Sequence, residues 1–167
     1  MAERINKMKI NEYELALKND KLGLKVKRRF DWEINYIDDT LALLLKAYNI
    51  PDSPIEKAFV LSCDINGKIT GIMQIGIGDH CNVNFNLNSG FKFLLLNNAY
   101  GCIFVHNHPK GAELSPSPED YSIHTNIISI CSMLKIDFCA NIILQGYDKY
   151  FNINKNKFGE INYEWED

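Results

Sequence analysis

Two imidazoles and a carboxylate fall within fifteen residues of this chain, in the order His106-Asn107-His108 and then Ser117-Pro118-Glu119-Asp120. In an extended segment residues i and i+2 face the same way, so His106 and His108 converge on one point. The apolar run Cys102-Ile103-Phe104-Val105 precedes them and reads as a buried strand that delivers both rings at its end.

Helix-start signals supply a third ligand. Ser117 suits an N-cap, Pro118 the first helical position, and Glu119 and Asp120 the positive first turn. The helix they open returns from the Pro109 to Pro116 loop and presents Asp120 toward the histidines. Two His and one Asp, with a fourth position left for water, is the pattern of a catalytic rather than a structural zinc.

The elements that must hold these residues are legible in outline. Asp38 to Tyr48 is expected to be an amphipathic helix, stopped by Asn49-Ile50-Pro51. Ala58 to Ile65, Asn66-Gly67 and Ile69 to Ile77 read as a hairpin closed by a type I′ turn. Gly76, Gly78, Asp79 and Asn82 mark loosened backbone, a strand exit rather than a phosphate loop. Ser89 is expected to cap a helix through Phe91, Leu94, Leu95 and Ala99. The helix after Ser117 carries Ile127, Ile128, Cys131 and Leu134 inward. His124, four residues past Asp120, lies on the same helix face, either beside the metal or as a half-buried residue without a role. Ile136 to Leu144 and Lys149 to Ile153 form a second hairpin, and the tail from Glu160 is frayed or lightly docked. Together these give an α+β domain, helices flanking a mostly antiparallel sheet, with the metal site at the end of a central strand.

His-Asn-His-Pro-x-Gly followed by Ser-x-x-Asp resembles the RadC-type branch of the JAB/JAMM (MPN-plus) metallopeptidase family. Glu56, fifty residues before His106 and at the head of Ala58-Phe59-Val60-Leu61, stands where the family has its distant Glu. The resemblance covers roughly residues 35 to 154 and implies a JAB/MPN-like, cytidine-deaminase-like fold. The eight residues between His108 and Ser117 are one more than the family motif has. His124 stands where the branch has Thr, and Phe138-Cys139-Ala140-Asn141 replaces its Asp-His pair.

What the resemblance implies is a zinc metallopeptidase that hydrolyses a peptide or isopeptide bond. His106, His108 and Asp120 would hold Zn²⁺, which brings the pKa of bound water from about 15.7 to about 7. Glu56 would act as general base and then general acid. Ser117 would offer its hydroxyl to the developing oxyanion. Glu113 and Glu119 are rival bases that do not occupy the family position. The alternative reading is a RadC-like module for protein or DNA contacts in DNA repair or mobile-element biology, without catalysis. An HNH nuclease is not indicated, since that class spreads its His and Asn around a ββα unit.

Composition bounds the rest. With 167 residues, 46% of them hydrophobic, the chain can build one domain with a sizeable core. The expected division is an N-terminal extension (1–34), with patchy helical or extended patterning, the JAB-like domain (35–157) and a C-terminal tail (158–167). No apolar run reaches the roughly 20 residues of a membrane span. Met1 to Lys7 is not followed by the apolar core of a signal peptide, so a cytoplasmic protein is expected.

Five cysteines, Cys63, Cys81, Cys102, Cys131 and Cys139, form no Cys-x-x-Cys pair and read as small buried hydrophobes. Cys102 shares a strand face with His106, the remaining route to a thiol nucleophile. Residues 1 to 29 hold nine Lys or Arg against four Asp or Glu, net +5, which leaves the remainder at −8. The run Lys25-Val26-Lys27-Arg28-Arg29 could contact nucleic acid or an acidic partner, although an overall charge of −3 opposes broad DNA affinity. The other partner expected is a peptide or protein-conjugate substrate.

Overall fold

A computed structural model describes residues 9–32, 34, 36–79 and 83–163. Met1 to Lys7, Cys81, Asn82 and residues 164–167 lie outside the described residues. The elements are β1 (Lys9–Lys18), β2 (Lys21–Asp31), α1 (Ile37–Ala47), β3 (Lys57–Cys63), β4 (Ile69–Ile77), α2 (Leu87–Leu96), β5 (Gly101–Asn107), α3 (Pro118–Leu134), β6 (Asp137–Gln145), β7 (Lys149–Asn152) and β8 (Lys157–Glu160). They make one eight-stranded sheet in the order β2-β1-β4-β3-β5-β6-β7-β8. The β1/β4 and β5/β6 pairs are parallel and the other five antiparallel, the mostly antiparallel α+β arrangement expected.

Both faces of the central strands are covered. On one face α1 buries Leu41, Leu44 and Leu45 against Phe59, Leu61, Ile103 and Val105; on the other, Phe93 and Leu94 of α2 and Ile127 of α3 meet Val60 and Phe104. Each such side chain contributes about 1.5–3 kcal/mol of transfer free energy. Covering both faces explains why β5 is an unbroken buried run instead of an alternating one. It leaves the strand's C-terminal end as the place where polar chemistry can emerge.

Several local expectations are corrected. Of the helical and extended alternatives for the N-terminal extension, residues 9–31 take the extended one, a β-hairpin that adds to the sheet with β1 bridged to β4 at Glu12 and Ile72. Asn19 and Asp20 both adopt positive φ, 50° and 59°, which is the two-residue turn that matches strand twist. The first strand of the predicted 58–77 hairpin ends at Cys63, not Ile65. Its turn is made by Asp64, whose carboxylate accepts from the N–H groups of Asn66 and Lys68, and only Gly67 has positive φ. Asn86, not Ser89, caps α2, its side chain accepting from Ser89 N–H at 3.0 Å. Ile128 and Leu134 face outward on α3; the buried residues of that helix are Asp120, Ile127 and Cys131.

The segment past Glu160 docks. Ile161 is buried and donates its N–H to Asp148 O at 2.7 Å, and the Tyr163 ring stacks on Trp32 at 5.4 Å. Among the described residues, no helix is long and apolar enough to cross a membrane.

Candidate metal centre

Strand β5 ends at Asn107, and alternation sends the His106 ring toward the α3 face of the sheet. His108 follows in the exit from the strand, its N–H bonded to Leu144 O at 2.9 Å. Helix α3 then starts above them. Ser117 has the extended φ and ψ of an N-cap and accepts from Asp120 N–H at 3.1 Å, while Asp120 Oδ2 accepts from Ser117 N–H at 2.8 Å. That reciprocal capping box satisfies the helix end and aims the Asp120 carboxylate at the histidines.

The three side chains converge. His106 Nε2 lies 3.2 Å from His108 Nε2 and 3.0 Å from Asp120 Oδ1, and His108 Nε2 lies 3.3 Å from Asp120 Oδ2. All three residues are buried, and they form a group that could hold a metal ion. Bonds of about 2.0–2.1 Å at tetrahedral angles put ligand atoms about 3.3 Å apart, so the separations fit a four-coordinate ion with three protein ligands. His108 Nδ1 donates to Glu113 O at 2.7 Å, which leaves its Nε2 lone pair free for ligation. The loop with the extra residue therefore still supplies an anchor.

Electrostatics agree with a cation site. Burial opposes ionisation of Asp120, but hydrogen bonds from His106 and His108, the charge of His106 and the Ser117 N–H outweigh it and hold the carboxyl far below the usual carboxylate range. Burial lowers the His106 pKa. At His108 burial also opposes protonation, but Asp120 and the Glu113 carbonyl outweigh it and the pKa is raised. Burial favours the neutral imidazole that a metal requires at His106, and Asp120 favours its carboxylate, whereas the raised His108 holds a proton that a metal would have to displace.

Glu56 precedes β3 and lines one cavity of about 420 Å³ with His108, Ser117, Asp120, Val83 and Ile123. Its side chain is buried; desolvation raises its pKa, with Asp120 and Asp79 adding to the rise and His108 and the Val83 N–H opposing it. Val83 reaches the site because position 76 is Gly: a Cβ there would stand 2.6 Å from Asn84 O and 2.8 Å from Val83 Cγ2. Glu113 and Glu119 also line the cavity but are exposed, unlike Glu56.

The family model for the RadC-like JAB domain matches residues 34–158. The chain belongs to the RadC-like JAB domain family. A UPF0758 protein of Chloroflexus aurantiacus is 28% identical over 121 residues, 72% of this chain and 51% of that protein. A UPF0758 protein of Chlorobium luteolum is 26% identical over 107 residues, 64% and 47% of the two chains. One from Flavobacterium johnsoniae is 28% identical over 109 residues, 65% and 47%. The chain spans about half the length of these curated relatives.

Within this RadC-like JAB domain the sequence reading passed over Asn107. Its side chain points away from the two imidazoles, accepts from Lys57 N–H at 2.8 Å and donates to Ile55 O at 3.2 Å. It thus clamps the residues on either side of Glu56 to the strand that carries the histidines. A fully buried Asn at the end of an apolar strand was the available signal, because such a group needs partners.

The remaining candidates fall outside the ligand group. His124 is half-buried, packs on Phe138 at 5.3 Å between ring centroids and lies 3.4 Å from Asn141 Nδ2. Cys102 is buried 3.6 Å from Cys131 Sγ; that hydrogen bond, then burial, pushes its thiol up, the opposite of what a nucleophile needs. Cys63 and Cys131 are buried as expected, whereas Cys139 is exposed. In the basic run, Lys25 pairs with Glu14 at 2.8 Å, and Lys27 and Arg28 pair with Glu12. The two lysine pairs lie within the hairpin, whereas Arg28, paired with the fully buried Glu12, also lies over the Tyr48 ring and so ties the hairpin to the end of α1.

Proposed function

We propose that the chain is a zinc-dependent hydrolase that cleaves a peptide or isopeptide bond, using His106, His108 and Asp120 as ligands. The observation that carries this reading is a buried three-ligand cluster opening into a cavity whose wall includes the buried carboxyl of Glu56. Zinc bound there supplies a Lewis acid and makes hydroxide available near neutral pH.

The chain's own residues then have separate jobs. Glu56, its pKa raised by burial, takes a proton on its carboxylate and returns it to the departing amine. Asn107 holds the Glu56 segment in register with the ligand strand. Ser117 orients Asp120 by donating its hydroxyl to Oδ2 at 2.8 Å; a rotation of that hydroxyl would turn the proton to an oxyanion in the cavity. Val83 and Ile123 provide apolar wall that keeps bulk water from the reacting bond.

The test is hydrolysis of a mixed library of linear peptides and lysine-branched isopeptides by the zinc-loaded chain. Turnover that a chelator abolishes, and that Glu56→Gln reduces by about 10²–10⁴-fold with zinc still bound, is the expected result. Bound zinc without turnover of any member would favour the second reading, a module for protein or DNA contacts. The basic run on β2 supports that reading only weakly, given its pairing with Glu12 and Glu14.

A further inference from the structure

We propose that Asn141, held by His124, is the outer hydrogen-bond partner of the metal ligand His106, its Oδ1 accepting the Nδ1 proton through one bridging water. The inference rests on the metal site proposed above. Once Nε2, which faces Asp120 and His108, ligates the metal, the neutral ring of His106 must carry its proton on Nδ1. That atom is buried and has no partner among the described residues. Asn141 Oδ1 is in the same condition, in a side chain only 1% exposed. Buried polar atoms without partners are rare, so a donor and an acceptor left over in neighbouring positions point to each other.

Their placement supports the pairing. Strands β5 and β6 run parallel with Phe104 opposite Asn141 and His106 opposite Ile143. His106 and Asn141 are therefore diagonal neighbours on one face of the sheet, the face that α3 covers. His124, one turn along α3 from Asp120, lies on the Nδ2 side of the amide, with Asn141 Nδ2 3.4 Å from His124 Nδ1; a His124 tautomer that accepts there leaves Oδ1 for His106. The Asn141 backbone is pinned as well, its N–H donating to Asn154 Oδ1 at 2.7 Å. The two ligand histidines would then be anchored by different means, His108 on the Glu113 carbonyl and His106 on a side chain.

Zinc affinity of the purified chain, measured by competition with a chromophoric chelator, tests this. Asn141→Leu, close in shape but without an acceptor, is expected to lose about 10–100-fold in zinc affinity. Asn141→Asp, which keeps an acceptor oxygen, is expected to retain it, and His124→Ala to lose several-fold. A cobalt-loaded sample should show a shifted visible spectrum in Asn141→Leu. Affinity of a folded Asn141→Leu within about twofold of the parent would overturn the inference; if that variant does not fold, equal loss in Asn141→Asp would overturn it instead. A parent chain that takes up no zinc would overturn the metal reading itself, a different result from an unaffected variant.

Discussion

Ser117 donates both its backbone N–H and its hydroxyl to Asp120 Oδ2, each at 2.8 Å, so one residue pair closes a helix and aims the Asp120 carboxylate at the two histidines. Fold and site are coupled at this point. Ser117→Ala removes the cap hydroxyl, at a cost of about 1 kcal/mol, or roughly 2–4 °C in Tm for a domain of this size. It also frees the Asp120 carboxylate to turn, and zinc affinity is expected to fall about tenfold or more. Thermal unfolding and chelator competition on Ser117→Ala and Ser117→Thr check both effects, with Thr expected to preserve them. Unchanged affinity in Ser117→Ala would mean that the hydroxyl serves the helix alone.

Asn107 faces away from the two imidazoles and holds the segment on either side of Glu56. Asn107→Leu leaves Lys57 N–H and Ile55 O without their side-chain partner in a part-buried place, a loss of about 1–3 kcal/mol. Because the side chain faces away from the imidazoles, zinc content should stay near that of the parent while kcat on any substrate found falls. Parallel loss of zinc and activity would contradict this division.

Opposing pKa shifts set the pH dependence. Asp120 is depressed below its ordinary 3.8, so its contribution to stability is present above that value and is lost as pH falls through the folded one. His108 is raised above its ordinary 6.5, so its contribution is present below that value and disappears as pH rises through the folded one. The metal-free chain should therefore gain most from this pair between about pH 4 and 6.5. Zinc must displace the His108 proton, so affinity should climb with pH by up to about tenfold per unit below the folded pKa of His108. Tm against pH, with and without zinc, reads both trends; zinc affinity that is flat between about pH 5 and 7 would contradict the second.

The convergence of His106, His108 and Asp120 was readable because its signals are local. Strand alternation aligned His106 with His108, and capping chemistry located Asp120 at the start of α3. What was missed depends on distant partners. Glu12 and Arg28 look like solvated charges in the sequence, yet they are cross-strand neighbours in a hairpin whose Asn19-Asp20 turn was the overlooked cue. Ile128 and Leu134 match a helical period, but a helix lying on a sheet buries only a narrow stripe, here through Asp120, Ile127 and Cys131. Asn107 looked like a spacer because its partners, Ile55 and Lys57, lie about fifty residues away.

Metal content tests the central claim most directly. The chain as purified, His108→Ala and Asp120→Ala are each equilibrated with zinc, desalted and measured by elemental mass spectrometry. About one zinc per parent chain, lost from both variants while they remain folded, is the predicted result for a site with three protein ligands. No zinc in a folded parent, or zinc retained in both variants, would contradict a centre built from His106, His108 and Asp120.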